Sequence, residues 1–310
     1  MKKWKYSVVI VTYNRLNLLK ECLEHCVQQT IHFDEIVVVN NNSNDGTYEY
    51  LSELSKKEPT VHPYHMKKNL GGAGGFHKAL ELVKKDTDFI LIIDDDAIIE
   101  YDYIEKIDSK ISEDVLAYSG TIYVDGKVSM SHRRVITNKI FLSKKDVSLD
   151  KYKDISFDYD LSTFCGLLVS TKIVQKIGLP MSEYFIWYDD TEYSMRIRKE
   201  TIIRNINAAA INHKTKEIAP KFNISWKSFY GYRNMWNMGL KYSRAPFLFN
   251  IYRICFHICK IVIHSIKGLF GVNKTYNMNV ARLNAEVLKF AAKRKLGVNP
   301  KYTFGVDISK

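Results

Sequence analysis

The amino-acid sequence predicts an α/β fold, with a mainly parallel central sheet over residues 1–220 and a helical extension over 221–310. Three observations lead to this. Short apolar runs rich in β-branched residues alternate with stretches of helical periodicity, a polar cluster follows each of three such runs directly, and the composition turns basic and aromatic near residue 220. A chain of 310 residues can bury one large core plus an appendage, since single cores stop growing at about 250–300 residues.

Ser7-Val8-Val9-Ile10-Val11-Thr12 is a first buried strand, and residues 17–28 form a helix that aligns Leu18, Leu19, Cys22, Leu23 and Cys26. Residues 35–40 form a second strand, closed by the turn-forming Asn41-Asn42-Ser43-Asn44-Asp45-Gly46. Strand, helix and strand at this spacing make a βαβ unit, whose strands run parallel. Residues 47–57 are the next helix, 62–65 a short strand, and 75–85 a helix entered through a glycine-rich turn. Phe89-Ile90-Leu91-Ile92-Ile93 is wholly apolar and runs straight into Asp94-Asp95-Asp96. Ligands of an open parallel sheet bind beyond the carboxyl ends of its strands. The polar clusters after Val11, Val39 and Ile93 are therefore expected to share one crevice. Residues 115–155 mix short strands with charged turns, 160–170 read as a strand, 171–177 as a short helix closed by Gly178, and 202–211 as a further strand.

With 46% apolar and 26% charged residues and no low-complexity tract or repeat, the chain is of ordinary globular type. Its five cysteines include two pairs spaced by four, Cys22/Cys26 and Cys255/Cys259, which fits helical neighbours in a reducing compartment better than a disulfide framework. The basic start, Met1-Lys2-Lys3-Trp4-Lys5, precedes an apolar run too short for a signal peptide, and the expected location is cytoplasmic. Net charge is +12, unevenly placed: residues 221–310 hold 16 Lys and Arg against Glu286 and Asp307, which is +14 and leaves −2 for residues 1–220. A basic extension of this kind points to an anionic surface. The −2 body argues against nucleic acid, because acids at the crevice would repel phosphate without a metal.

Three adjacent carboxylates after a buried strand repel one another, and a divalent cation is the charge best able to hold two of them at one site. Hard oxygen ligands suit Mg²⁺ or Mn²⁺; a solvated acidic turn is the plain alternative. Asn69-Leu70-Gly71-Gly72-Ala73-Gly74-Gly75-Phe76 lets backbone approach a ligand closely, or simply makes a tight turn. It lacks the dinucleotide G-x-G-x-x-G spacing, which disfavours a nicotinamide-dependent dehydrogenase. Phe185-Ile186-Trp187-Tyr188-Asp189-Asp190-Thr191-Glu192 sets acids among aromatics, a setting able to make a carboxylate a usable base or, more plainly, to cap a helix. His213 follows a strand and can serve as a metal ligand through neutral imidazole.

On these motifs the chain resembles family 2 glycosyltransferases of the GT-A fold, within them the bacterial galactofuranosyltransferase-like branch, over about residues 6–215. The resemblance implies that Thr12, Tyr13, Arg15 and Asn40 line the nucleotide base pocket. It places Asn69, Gly72, Ala73 and Gly74 near ribose, diphosphate or sugar, and Asp94 and Asp95 on the nucleotide sugar. Asp94, Asp96 and His213 would hold the divalent cation, Mn²⁺ or Mg²⁺. Asp190 would be the general base with Asp189 beside it, and Trp187, Tyr188 and Phe164 would meet the acceptor. Asn40 departs from the aspartate many relatives carry there. The implied reaction is inverting transfer from a nucleotide-sugar donor, UDP-galactofuranose or alternatively dTDP-rhamnose, to a lipid-linked oligosaccharide at the inner face of the cell membrane.

In the extension, the aromatic stretch around Tyr230, Tyr232 and Trp236 suits either core packing or contact with acceptor or lipid. Arg253, His257, Lys260, His264 and Lys267 recur at steps of four, three, four and three. Such a polar stripe on an otherwise apolar helix suits a membrane interface or a core-facing helix. An oligomer is compatible with the sequence.

Overall fold

The computed structural model describes residues 4–214 and 224–304. They fall into two compact units: one holds the chain up to Ile136, Lys144–Ser182 and the described residues from Asp190 to 214, the other Thr137–Ser143, Glu183–Asp189 and the described residues from 224 on. The expected boundary at 220 lies outside the described residues. Two short segments that the sequence reading placed in the first domain thus belong to the second unit.

β1 (Tyr6–Thr12), α1 (Leu16–Val27), β2 (Glu35–Asn40), α2 (Thr47–Lys57), β3 (Val61–His65), α3 (Gly71–Leu82) and β4 (Phe89–Asp94) follow one another. β4, β1, β2 and β3 pair in parallel, with Val8 opposite both Ile36 and Leu91. Successive strand residues point to opposite faces. Val8, Ile10, Ile36 and Val38 therefore pack with Leu19, Cys22 and Leu23 of α1, while Val9, Val11, Val37 and Val39 pack with Phe76, Ala79 and Leu80 of α3. Burial on both faces is why these strands read as continuous apolar runs.

The chain continues through β5 (Ala97–Ile99), α4 (Tyr103–Asp108), β6 (Ala117–Val124), β7 (Lys127–Val128), β8 (Arg133–Asn138) and β9 (Ser143–Asp146). Next come β10 (Ser156–Tyr159), β11 (Leu161–Ser162), β12 (Leu167–Ser170), α5 (Thr171–Ile177), α6 (Asp189–Glu200) and β13 (Ile203–His213). The large sheet has the order β10-β13-β6-β12-β4-β1-β2-β3, with β5 on β13 and β7 on β6, while β11, β8 and β9 form a small separate sheet. β12 runs antiparallel to both neighbours and β13 parallel to β6, so the sheet is mixed and its first four strands are parallel.

Two expectations change here. The strand expected over 160–170 is broken between β11 and β12, where Gly166 takes φ +81 and its carbonyl accepts the Tyr103 hydroxyl at 2.9 Å. The glycine cluster does not precede a helix but forms the first turn of α3, which starts at Gly71 rather than 75. Gly75 explains this: a Cβ there would lie 2.4 Å from Val11 Cγ1, so its absence lets α3 settle directly on β1.

The second unit contains α7 (Lys227–Tyr242), α8 (Pro246–Leu269) and α9 (Lys274–Ala292), around a core that includes Phe185, Phe229, Tyr230, Trp236, Phe249, Leu283 and Val287. Tyr230 and Trp236 are core residues, which settles the aromatic helix in favour of packing at these positions. The polar stripe of α8 does lie on one face, but its first half is turned inward. Arg253 and His257 are buried; Arg253 Nη2 donates to His257 Nε2 at 3.0 Å, and His257 Nδ1 donates to Asn284 Oδ1 at 2.7 Å. His264 Nδ1 meets Asn277 Oδ1 at 2.6 Å. Over this half the stripe faces α9, whose Asn284 and Asn277 supply amide partners for His257 and His264. Of the stripe only Lys267 is exposed, while Lys260 and His264 are half-buried. By length and composition α8 could span a membrane.

Candidate active site

The turns after β1, β2 and β4 are laced together at the carboxyl edge of the sheet. Thr12 Oγ1 donates to Asp95 Oδ2 at 2.7 Å, and Arg15 Nη1 donates to Asp95 Oδ1 at 3.1 Å and Asp96 Oδ2 at 2.7 Å. The Asn14 amide donates to Ser43 Oγ at 3.0 Å, the Asn44 amide to Asn14 Oδ1 at 2.8 Å and the Leu16 amide to Asp45 Oδ2 at 2.9 Å. Arg15 is thus placed on the acidic cluster, whereas the resemblance put it at a base. Asn40 is committed to its own turn, accepting the Ser43 amide at 2.9 Å and facing His65 Nδ1 at 3.1 Å. Tyr13, next in the chain after Thr12, is half-buried.

Asn41, which the sequence reading passed over, joins the second turn to α3. Its Nδ2 donates to Asn69 Oδ1 at 3.0 Å and Gly71 O at 2.9 Å, and its Oδ1 accepts the Leu70 amide at 3.0 Å. Asn41 is buried at 2% exposure. Asn69 Oδ1 also accepts the Gly71 amide at 2.7 Å, but its Nδ2 is buried with no hydrogen-bond partner among the described residues. A donor so placed is one that a bound ligand can satisfy. Ala73 is buried, a Cβ at Gly74 would strike Leu70 Cβ at 2.5 Å, and one at Gly72 would meet nothing within 4 Å. Gly74 is therefore explained by packing, while Gly72 faces open space.

Asp95 and Asp96 are buried and Asp94 is half-buried. Burial pushes the Asp95 carboxyl up to about 6 against the opposing pull of Arg15 and Thr12. Burial, then the neighbouring Asp96 charge, pushes Asp94 up to about 7. β13 delivers His213 to this cluster because His213 pairs in register with Ala97; its Nε2 lies 3.3 Å from Asp96 Oδ1. Burial works to lower the His213 value, and the hydrogen bond and charge of Asp96 outweigh it and hold it above normal. A second histidine that the sequence reading missed, His132, stands edge-on to His213 with ring centroids 5.1 Å apart and shares a 2.9 Å hydrogen bond with Thr163 Oγ1. Burial, then Arg133 and His213, push it down to about 3, so it is neutral.

The three expected cation ligands are not gathered into a cage, since among the described residues no group of three His, Cys, Asp or Glu side chains could hold a metal ion. Asp96 lies between Arg15 Nη1 at 2.7 Å and His213 Nε2 at 3.3 Å. The donor set nevertheless fits a hard divalent ion. The Asp94 carboxylate has no hydrogen bond from any described residue and is held near 7 by burial, and Mg²⁺-type sites use one or two carboxylates with phosphate oxygens completing the shell.

At the start of α6, Asp190 Oδ1 accepts the Thr191 amide at 2.5 Å and the Thr191 hydroxyl at 3.0 Å. Its main-chain carbonyl accepts Ser194 Oγ at 2.8 Å, and Ser194 Oγ accepts the Ser162 amide at 3.0 Å. One carboxylate oxygen thus fixes the rotamer, and no described residue hydrogen-bonds the other. Glu192 is structural: it takes Arg196 Nε at 3.0 Å, and Arg196 reaches the Ile177 and Leu179 carbonyls at 2.6 and 2.9 Å. Two cations near Asp190 escaped the sequence reading. Arg134 Nη2 lies 3.4 Å from Thr191 Oγ1, and Lys144 is pushed down to about 8 by burial and then Arg134, against the pull of Asp190. Phe164, expected at an acceptor, is instead a buried core residue packed on Phe76 and Tyr193 at centroid distances of 4.9 and 5.9 Å.

Asp189, Trp187 and Tyr188 belong to the second unit. Asp189 is buried and Trp187 is 44% exposed. Phe185, Trp187 and Tyr188 have φ of 65, 65 and 68, left-handed values that bulky residues avoid. α7 holds this segment: Asn234 Nδ2 donates to the Tyr184, Ile186 and Trp187 carbonyls at 3.0, 3.1 and 2.8 Å, and Arg233 Nη2 to the Glu183 and Tyr184 carbonyls, both at 3.1 Å. Gly231 gives the Trp187 ring room, since a Cβ there would lie 2.8 Å from its Cε3.

The sequence model of glycosyl transferase family 2 matches residues 7–170. The glycosyltransferase GlyA of Streptococcus pneumoniae is 32% identical over 109 residues, covering 35% of this chain and only 15% of GlyA. The dTDP-rhamnosyl transferase RfbF of Shigella flexneri is 25% identical over 265 residues, covering 81% of this chain and 84% of RfbF. Among solved structures, GalNAc-T7 with UDP, GalNAc and Mn²⁺ superimposes with a TM-score of 0.62 at 14% identity, over 77% of this chain and 48% of that one. The matched segment spans β1 to β12, and with them both the acidic turn and the glycine turn. The chain belongs to glycosyl transferase family 2 and has the GT-A fold.

Proposed function

We propose that this enzyme moves a sugar from a nucleoside-diphosphate donor to a lipid-linked glycan acceptor in bacterial cell-surface polysaccharide synthesis, by one inverting displacement that requires Mn²⁺ or Mg²⁺. The observation that carries the proposal is the half-buried Asp94 carboxylate at the end of β4, which no described residue hydrogen-bonds, beside the Arg15–Asp95–Asp96–His213 network. Asp94 and Asp96, with His213 behind Asp96, would hold the cation, which when bound neutralises charge on the departing diphosphate. Thr12, Tyr13 and Asn40 frame the nucleotide side. Arg15 is assigned to charge balance at the phosphates, and Asn69 Nδ2 and the open face at Gly72 to donor contact.

Asp190 takes the proton of an acceptor hydroxyl through its unoccupied oxygen. The acceptor oxygen forms a bond to the anomeric carbon as the bond from that carbon to the nucleoside diphosphate breaks. The assignment of Asp189 beside the base and of Trp187 and Tyr188 to the acceptor rests on the motif resemblance. UDP-galactofuranose is the donor favoured by the motif resemblance; dTDP-rhamnose is the second reading, favoured by the RfbF match over 81% of the chain. The work takes place at the cytoplasmic face of the membrane.

The test is a thermal-shift screen of both donors with and without Mn²⁺. A saturating donor stabilises by about 2.7 kcal/mol at a hundredfold excess over Kd, and the shift should need both the cation and Asp94. Asp190→Asn should keep the shift and lose transfer by about 10²- to 10⁴-fold. A folded Asp190→Asn enzyme with full transfer removes Asp190 from the base role.

A further inference from the structure

The face that α8 turns outward is apolar along its whole length. Phe247, Ile251, Ile254, Ile258, Val262 and Leu269 recur on it at steps of three, four and seven, all exposed, reaching 78% at Phe247 and 79% at Leu269. A helix on a watered surface does the opposite and turns its polar side out. α8 cannot simply roll over, because Arg253 is tied to His257, His257 to Asn284 of α9 and His264 to Asn277 of α9. A continuous apolar surface of this extent marks an interaction site.

Charge names the partner. α7 and α8 contain no acidic residue, exposed Lys241 and Arg244 precede α8, and exposed Lys267 and Lys274 stand at its far end. Beside Phe247 a cavity of about 430 Å³ is lined by Lys241, Arg294 and Lys295 together with Trp236 and Asn250. An apolar strip between two cationic ends, with a basic pocket at one of them, is complementary to acyl chains below a layer of anionic phosphate headgroups.

We infer that α8 is an interfacial docking helix that lies in the plane of an anionic phospholipid bilayer, with Phe247 to Leu269 in the acyl boundary and the flanking Lys and Arg among the headgroups. It lies flat and does not cross. Its inner face is fixed to α9, which carries exposed Arg282 and Lys289, charges that would have to enter hydrocarbon with it. The inference deepens the transferase reading, on which the lipid-linked nature of the acceptor rests.

The full chain should sediment with phosphatidylcholine vesicles containing 30% phosphatidylglycerol and far less with phosphatidylcholine alone. Ile258→Glu/Val262→Glu, at exposed positions, should bind at least tenfold more weakly with an unchanged circular dichroism spectrum and melting curve. A fluorophore on Cys255 or Cys259, the two exposed thiols among the described cysteines, should shift to the blue on binding and be quenched more by a shallow lipid-borne quencher than by a deep one. Absence of vesicle binding, binding that the double substitution leaves unchanged, or stronger quenching by the deep probe overturns the proposal. So does a wild-type dimer that ignores vesicles and is split by the double substitution, which would make a second copy the occupant. Vesicle binding is read without donor and transfer with a soluble acceptor without vesicles, so each reading can fail alone.

Discussion

Replacing Asn234 by alanine should release the segment from Tyr184 to Trp187. Asn234 is completely buried, and its side-chain NH₂ serves three carbonyls at 3.0, 3.1 and 2.8 Å. Two hydrogens cannot make three full bonds, so one is shared, and at about 1 kcal/mol per bond the loss is about 2–3 kcal/mol. What these bonds oppose is of the same order, because each left-handed non-glycine residue costs roughly 1–2 kcal/mol and Phe185, Trp187 and Tyr188 are all of that kind. With the anchor gone, the opened population should rise about 30- to 100-fold, at 1.4 kcal/mol per factor of ten. The segment is rich in aromatic sites for chymotrypsin, and cleavage under native conditions follows the open population when reclosing is fast. Asn234→Ala should therefore be cut some 30- to 100-fold faster than wild type with little change in circular dichroism. Asn234→Asp, equal in shape but unable to donate, should behave alike. If both variants are cut within twofold of wild type, the anchoring argument is wrong.

The glycine turn should separate into a packing residue and an open one. Gly75→Ala meets Val11 Cγ1 at 2.4 Å and should lose about 1–3 kcal/mol, seen as a lower urea midpoint. Gly72→Ala meets nothing within 4 Å and should keep or raise the midpoint, any loss falling on the donor-induced thermal shift. Stability should also fall in mild acid. His257 donates through Nδ1 and accepts Arg253 at Nε2, so it is neutral, and burial followed by Arg253 pushes it down to about 4. The unfolded chain takes up this proton near 6.5. The stabilisation is thus complete above pH 6.5 and is lost as pH falls towards 4, at up to about 1.4 kcal/mol per pH unit. His132, held near 3, acts in the same direction. Urea midpoints that stay flat from pH 7 to 5 would refute the assignment.

What was legible in the sequence is what a single segment determines. β1, β2 and β4 announced themselves because strands buried on both faces need no alternation, and the chemistry at their ends followed from the rule that such edges collect ligands. Asn41, His132, Arg134, Lys144 and Asn234 stayed hidden because each acts on a partner far along the chain; His132 and His213 meet only because β13 returns to the triplet. The break at Gly166 was equally invisible, since it is imposed by Tyr103 and Ile211 and not by its neighbours.

α8 shows the limit most sharply. Periodicity places Arg253 to Lys267 on one face, but a stripe has no inside or outside until a partner is found, and the sequence of α8 leaves a membrane interface and a core-facing helix both open. The deciding signal lay in the next helix. His257 and His264 are seven apart, and so are Asn277 and Asn284. In an antiparallel hairpin the pairs His264–Asn277 and His257–Asn284 fall in one register, as they do here at 2.6 and 2.7 Å. Equal heptad spacing of complementary polar residues on consecutive helices means that the polar faces pair with each other, and the apolar face that remains must find its own cover.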